Sequence, residues 1–215
     1  MSKILFASTN EGKVKEVKEA LSNLDFEVLS LVDFSKELHN FDVEEDGETI
    51  EENAIIKARA YGDKLHVMTL ADDTGLVVDA LDGRPGVHSS RYGKNTLERN
   101  LRLLDEMKDV PEGKRSARFI TVIAFYDPEK DKTKSVTGVM EGKITFELIG
   151  EEGFGYDPVF INELGKTNSE ISTEEKNNIS ARGKALRGMV EVLEGSFIYD
   201  SGRLNWFERT IGKID

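Results

Sequence analysis

The stretch KILFASTNEGKVKEVKEALSNL, residues 3–24, changes its hydrophobic period part-way along. Lys3 to Ser8 (KILFAS) is a short apolar run of strand type, and beyond Gly12 the apolar residues Val14, Val17, Ala20, Leu21 and Leu24 recur at helical spacing. The chain therefore opens with a strand, a tight turn and a helix. Outward from this unit, Phe26 to Leu31 suits a second strand, and the acidic, Gly-containing Asp42 to Glu48 (DVEEDGE) a loop. Ile50, Ala54, Ala58, Tyr61 and Leu65, separated by 4, 4, 3 and 4 residues, predict a helix with one apolar stripe.

Val67 to Ala71 reads as a buried strand ending in Asp72-Asp73, with Leu76 to Ala80 as another and a loop over Asp82 to Tyr92. Thr96 to Met107 has helical spacing through Leu97, Leu101 and Leu104, with Thr96 and Arg99 near its start. Arg118 to Tyr126 and Lys134 to Phe146 are β-rich runs joined by the turn-forming DPEKDK, which predicts a long hairpin. Gly150 to Pro158 is an irregular loop, Ser172 with Glu175 fits a capping box, and a last helix follows Ser180 with Ala185, Met189, Val192 and Leu193 on one side. Helices that alternate with strands and then a hairpin predict an α/β fold, a mixed β-sheet flanked by helices.

The composition limits what this fold can do. The 215 residues carry 29 Lys plus Arg against 41 Asp plus Glu, a net charge of −12. Such a surface argues against wrapping a nucleic-acid polymer, which basic proteins do by neutralising phosphates. The absence of Cys excludes disulfides, zinc-thiolate sites and thiol nucleophiles. Three His, at 39, 66 and 88, are too scattered to suggest a histidine metal cluster. No apolar run approaches the roughly 18 residues of a membrane helix, and the start MSKILFAS lacks a secretion-signal core, so a cytoplasmic location is expected. No repeat or linker divides the chain.

Four places could carry chemistry. Ser8-Thr9-Asn10-Glu11-Gly12-Lys13 puts a lysine at a helix start, where it opposes the macrodipole unless an anion is present. Backbone N–H groups, two hydroxyls and the ammonium could converge there on a phosphate. The plainer alternative is an N-cap by Thr9 or Asn10 with a solvated lysine. Asp72-Asp73 follows an apolar strand where α/β sheets place ligands, and its carboxylates suit Mg²⁺. Neighbouring strand residues point to opposite faces, so one Asp should face the ligand and the other hold the loop. In Gly153-Phe154-Gly155-Tyr156-Asp157-Pro158 the glycines admit close approach and an aromatic ring offers a stacking face, unless it simply enters the core. Lys176 and Arg182 bracket the start of the last helix, where solvation is the default.

Together these segments resemble the inosine triphosphate pyrophosphatase family: ASTNEGKVKE at 7–16, EEDGETIEENAIIKA at 44–58, LADDTGLVVDAL at 70–81, GRPGVHSSRYG at 83–93, GFGYDPVF at 153–160 and EEKNNISARGKAL at 174–186. The resemblance runs from about Lys3 to Glu194 and implies one elongated α/β pyrophosphatase domain over 1–194, with a long mixed sheet, two lobes and the active-site cleft between them. It further implies a homodimer and Mg²⁺-dependent hydrolysis of ITP, dITP and XTP to the monophosphate and pyrophosphate. The turn Ser8, Thr9, Asn10, Glu11, Gly12 and Lys13 would hold the triphosphate, with Lys57 near the phosphates. Asp73 would be the general base, Glu44 and Asp73 the metal ligands, and Thr74 a substrate contact beside them. Phe154 would stack on the purine, with Gly155, Tyr156 and Asp157 shaping its pocket and Lys176 and Arg182 approaching the base.

Two features depart from the family pattern. Its usual Ser-His-Arg is Ser180-Ala181-Arg182 here, which removes a side-chain donor at the base. Residues 195–215, with the only Trp at 206, extend beyond the family's usual last helix and have no assigned role. The alternatives are a nucleotide-binding protein with weakened catalysis, suggested by Ala181, and a related pyrophosphatase of dTTP or UTP.

Overall fold

The computed structural model describes residues 2–39, 41–150 and 153–200, with side chains to Gly195. Residues 201–215, including Trp206, lie outside the described residues, so the C-terminal extension is seen only as the continuing last helix.

Strand β1 (Ser2–Phe6) leads through the turn into α1 (Glu11–Ala20) and back into β2 (Phe26–Ser30). After the acidic loop come α2 (Ile50–Leu65) and β3 (Met68–Val78). A short β4 (Pro85–Gly86), α3 (Thr96–Glu106) and the hairpin β5 (Ser116–Asp127) and β6 (Lys132–Ile144) follow. The chain finishes with β7 (Phe160–Ile161), α4 (Thr173–Ile179) and α5 (Ala181–Asp200). One mixed sheet runs β2-β1-β3-β5-β6-β7, with β4 added to β3. β1 is parallel to both neighbours, and β3 is antiparallel to β5.

The expected break between Ala71 and Leu76 does not occur. Asp72 to Gly75 continue one strand, because β5 pairs with every residue from Thr69 to Val78 and satisfies the backbone through the acidic run. β1 stops at Phe6, paired with Leu70, so β3 continues past the end of β1 with β5 as its partner. Asp72 and Asp73 emerge at that step, mid-strand rather than at a strand end.

Two layers cover this part of the sheet. Ile4, Phe6, Leu70 and Ile123 pack under α1 and α5, with Val14, Val17, Ala185, Met189 and Leu193 supplying the helical side. Leu5, Ala71, Val122 and Ala124 point the other way, onto Ala54, Ala58 and Tyr61 of α2. A third cluster, Leu76, Val78, Leu103, Met107, Met140, Tyr156 and Phe160, joins the far end of the hairpin to α3. On α3 the buried residues are Asn100 and Leu103, while Leu97 and Leu101 are exposed, so the expected Leu97–Leu101–Leu104 stripe is not the packed face. The helix is held by Leu103, partly by Leu104, and by its cap residue Met107.

Candidate active site

The turn after β1 caps α1 locally. Asn10 is the N-cap and accepts from the Lys13 N–H, while Ser8 Oγ accepts from the Asn10 N–H at 3.1 Å. Thr9, Glu11 and Gly12 are exposed around it. The anion that Lys13 calls for is supplied from within: its Nζ donates to both carboxylate oxygens of Asp72, at 3.1 and 3.0 Å. Arg182, in the first turn of α5, donates to the same carboxylate at 3.1 Å and also to Glu16 at 3.4 Å. Burial alone would raise the Asp72 carboxyl, but Lys13 and Arg182 outweigh it and hold it down at about 2. For Arg182 too, burial opposes the charge and Asp72 and Glu16 more than restore it.

Strand alternation puts Asp73 on the other face, toward α2. Burial raises its carboxyl above the usual range, with Lys57 and the Thr74 N–H opposing that and Glu45 adding to it. Lys57 stands one turn after the buried Asn53 on α2, and its ammonium sits among oxygens, 2.9 Å from Glu45 Oε1 and 3.2 Å from the Asp72 carbonyl. Glu44, expected at the metal, is exposed, and Glu45 takes the place beside Lys57 and Asp73. Exposure alternates through Asp42, Val43, Glu44 and Glu45, so Glu45 shares the inward side with Val43.

A cleft of about 480 Å³ opens on the Asp72 side, with Lys13, Glu16 and Arg182 at one end and Phe154 and Lys176 in its walls. Thr74 lines it and shares a hydrogen bond with Thr121 at 2.9 Å. Asp73 is not among the lining residues; it borders the step past the end of β1 from the α2 side.

The Gly153–Asp157 loop is built around a buried carboxylate. Asp157 Oδ2 accepts from the Phe154 N–H at 2.8 Å and from Lys176 Nζ at 2.6 Å. Gly153 and Gly155 have φ of +89° and +64°, the left-handed region that lets the chain wrap Asp157 so closely. Phe154 is 60% exposed, so the ring does not enter the core, and the Lys176 ammonium lies 4.2 Å from its centroid. Tyr156 is the buried aromatic instead; its hydroxyl donates to the Ser89 carbonyl at 2.8 Å, and burial pushes its ionisation up. Ala181 is buried in the cleft wall, where its methyl offers no donor.

Most of the expected site residues are thereby gathered, though not in one group. Lys13, Thr74, Phe154, Gly155, Tyr156, Asp157, Lys176, Ala181 and Arg182 line the cleft, and Arg182 shares Asp72 with Lys13 rather than standing with Lys176. Ser8 to Gly12 cap the helix beside it. Asp73 and Lys57 lie across β3. Glu16 went unnoticed in the sequence although it stands three residues after Lys13, on the same side of α1.

The Ham1 family model matches residues 4–192. A dITP/XTP pyrophosphatase of Bacillus cereus is 44% identical over 203 residues, covering 92% of this chain and 98% of that protein. One of Caldanaerobacter subterraneus subsp. tengcongensis is 46% identical over 198 residues, covering 90% and 96%. Among solved structures, a HAM1 protein from Coxiella burnetii is similar with a TM-score of 0.83 and 40% identity, over 91% of this chain and all of that one. The Ham1 protein of Staphylococcus aureus gives 0.82 and 38% with the same coverage.

Proposed function

The chain belongs to the Ham1 family, and on that footing we propose that it hydrolyses the non-standard purine nucleoside triphosphates ITP, dITP and XTP to the nucleoside monophosphate and pyrophosphate. The observation that carries this reading is a single cleft with an exposed aromatic ring at one wall and a Lys13–Asp72–Arg182 cluster at its end, beside the step where Asp73 and Lys57 lie. A ring for the base and cations for phosphate, lining one cleft, suit the two ends of a nucleotide.

The oxygens around Lys57 test whether a divalent ion fits. A lysine ammonium rests there between a Glu45 carboxylate and a main-chain carbonyl, with the Asp73 carboxyl alongside. An all-oxygen set of two carboxylates suits Mg²⁺, which is commonly bound by one or two carboxylates plus substrate phosphates. Among the described residues no group of three or more His, Cys, Asp or Glu is assembled, so waters and substrate phosphate oxygens would complete the shell. Asp73 and Glu45 would hold the ion, which when bound supplies polarisation of the phosphate and of water.

The chain's own residues do the rest. Asp73 stands where it can orient the attacking water and accept its proton. Lys57 and Lys13 stand where negative charge builds on the phosphates, Lys13 exchanging part of its contact with Asp72 for the substrate. Phe154 stacks on the purine while Asp157 holds the ring's loop and Lys176 in place. We place the activity in the cytoplasm, in a homodimer, as the family resemblance implies. Among the described residues no helix is long and apolar enough to cross a membrane.

The test is pyrophosphate release from ITP, dITP, XTP, ATP, GTP, dTTP and UTP with Mg²⁺. The 6-oxo purines without an amino group should be preferred; equal rates on ATP and GTP would overturn the assignment. Asp73→Asn should lower kcat by roughly a hundredfold or more, the usual contribution of a positioned general base, with the melting curve retained.

A further inference from the structure

Arg99 is a cleft residue that this mechanism leaves unused. It stands at the start of α3, one residue after Glu98, the acidic residue of that first turn. Lys13, at the start of α1, is paired with Asp72. For Arg99 the guanidinium donates only to uncharged oxygens: the Asn95 carbonyl at 3.3 Å, the Ser90 carbonyl at 3.3 Å and Thr96 Oγ1 at 3.2 Å. The other cations of the cleft are neutralised, Lys13 and Arg182 by Asp72 and Glu16, and Lys176 by Asp157. Among the described residues Arg99 forms no ion pair with a carboxylate, so its guanidinium is the cleft cation left for a ligand.

That wall is the aromatic end of the cleft. Asn100, the next residue, donates from Nδ2 to the Gly155 carbonyl at 3.0 Å, tying the start of α3 to the Phe154 loop, and Arg99 acts electrostatically on the Tyr156 hydroxyl. We propose that Arg99 is a specificity residue that reads the purine and favours xanthine over hypoxanthine. Xanthine carries a second oxo group, at C2, and as a nucleoside loses a ring proton near neutrality, leaving an oxyanion; hypoxanthine remains neutral there. A planar guanidinium with donors in a fixed fork matches an anionic oxo edge and forms charge-assisted bonds to it. The assignment rests on the reading above that Phe154 marks the base end.

The experiment is kcat/KM for XTP and ITP, with Mg²⁺ at neutral pH, in the wild type, Arg99→Gln and Arg99→Lys, with Phe154→Ala alongside. The XTP-to-ITP ratio is taken within one preparation, so a misfolded fraction cancels. Arg99→Gln should lower that ratio roughly tenfold or more, mainly through KM for XTP, as for a lost hydrogen bond to a charged group. Arg99→Lys, which keeps the charge without the fork, should fall between. An unchanged ratio in Arg99→Gln, or one for Arg99→Lys no better than for Arg99→Gln, would overturn the role of Arg99. If Phe154→Ala leaves both KM values unaltered, the base placement itself has failed; if it raises both while Arg99→Gln leaves the ratio alone, only the Arg99 assignment has.

Discussion

Asp72 is the residue on which the cleft is balanced. Its carboxylate is almost fully buried, yet two cations hold its pKa at about 2. A carboxyl lowered on folding contributes stability that is present above the usual carboxylate range and is lost as pH falls through the folded value. That contribution is on the order of 2 kcal/mol and should disappear between about pH 4 and pH 2. Asp72→Asn leaves Lys13 and Arg182 without their shared partner, a loss of about 3–5 kcal/mol at neutral pH for a broken buried pair. Urea midpoints of metal-free protein should therefore show a gap between wild type and variant that is wide at pH 7 and narrows toward pH 2. The sequence marks Asp72-Asp73 as a pair with divided duties, and the faces are indeed divided. Which of the two would be spent on cations was not legible, because Lys13 and Arg182 are 59 and 110 residues away in the chain.

At the scale of elements, the site depends on how closely α5 lies on β6. Gly138 faces the first turn of α5, and a Cβ there would collide with the Ala181 carbonyl oxygen and crowd the Ala185 nitrogen. Gly138→Ala should cost about 1–3 kcal/mol, as overpacking does, and should also lower kcat/KM because Ala181 and Arg182 ride on the displaced turn. Thermal melts and ITP kinetics on the same variant check both effects. The far end has a different anchor. Arg115, 2% exposed, is satisfied entirely by carbonyls, donating to Met107 and Val110 after α3 and to Ile144 and Thr145 at the end of β6. Arg115→Met leaves four carbonyls short of a donor and should destabilise by about 3 kcal/mol or more. Arg115→Lys should recover only part of this, since one ammonium cannot reach all four. Urea unfolding measures both. One strong cap is readable in the sequence, Ser172 with Glu175 at α4, which forms the expected capping box; the structure adds another, Thr49 with Glu52 at α2. The face of α3 was misread because its leucines lie on both sides and the hydrophobic count cannot say which side meets the sheet.

Across the whole molecule, the metal and the substrate should depend on one another. Among the described residues no group of three or more Asp, Glu, His or Cys is assembled, so with the ion held as proposed by Glu45 and Asp73 the protein alone would bind Mg²⁺ weakly and substrate phosphate would add ligands. Chelation with EDTA should abolish turnover while moving Tm little, and Mg²⁺ should raise Tm clearly only when a nucleotide is present, by mass action on the folded state. A large Tm gain from Mg²⁺ alone would contradict that coupling.

What the sequence determined by itself was whatever local chemistry decides: the alternation of strand and helix, the caps, the long hairpin, and the residue types of a nucleotide site in a recognisable order. The fold and the family were legible on those grounds. What only the tertiary structure decided was which charges meet. Strand β3 runs unbroken through Asp72 and Asp73 because β5 satisfies its backbone, and its alternation sends one carboxylate to Lys13 and Arg182 and the other toward Lys57 and Glu45. Pairings between residues far apart in the chain are fixed by sheet register and helix packing, and periodicity along a single chain carries neither.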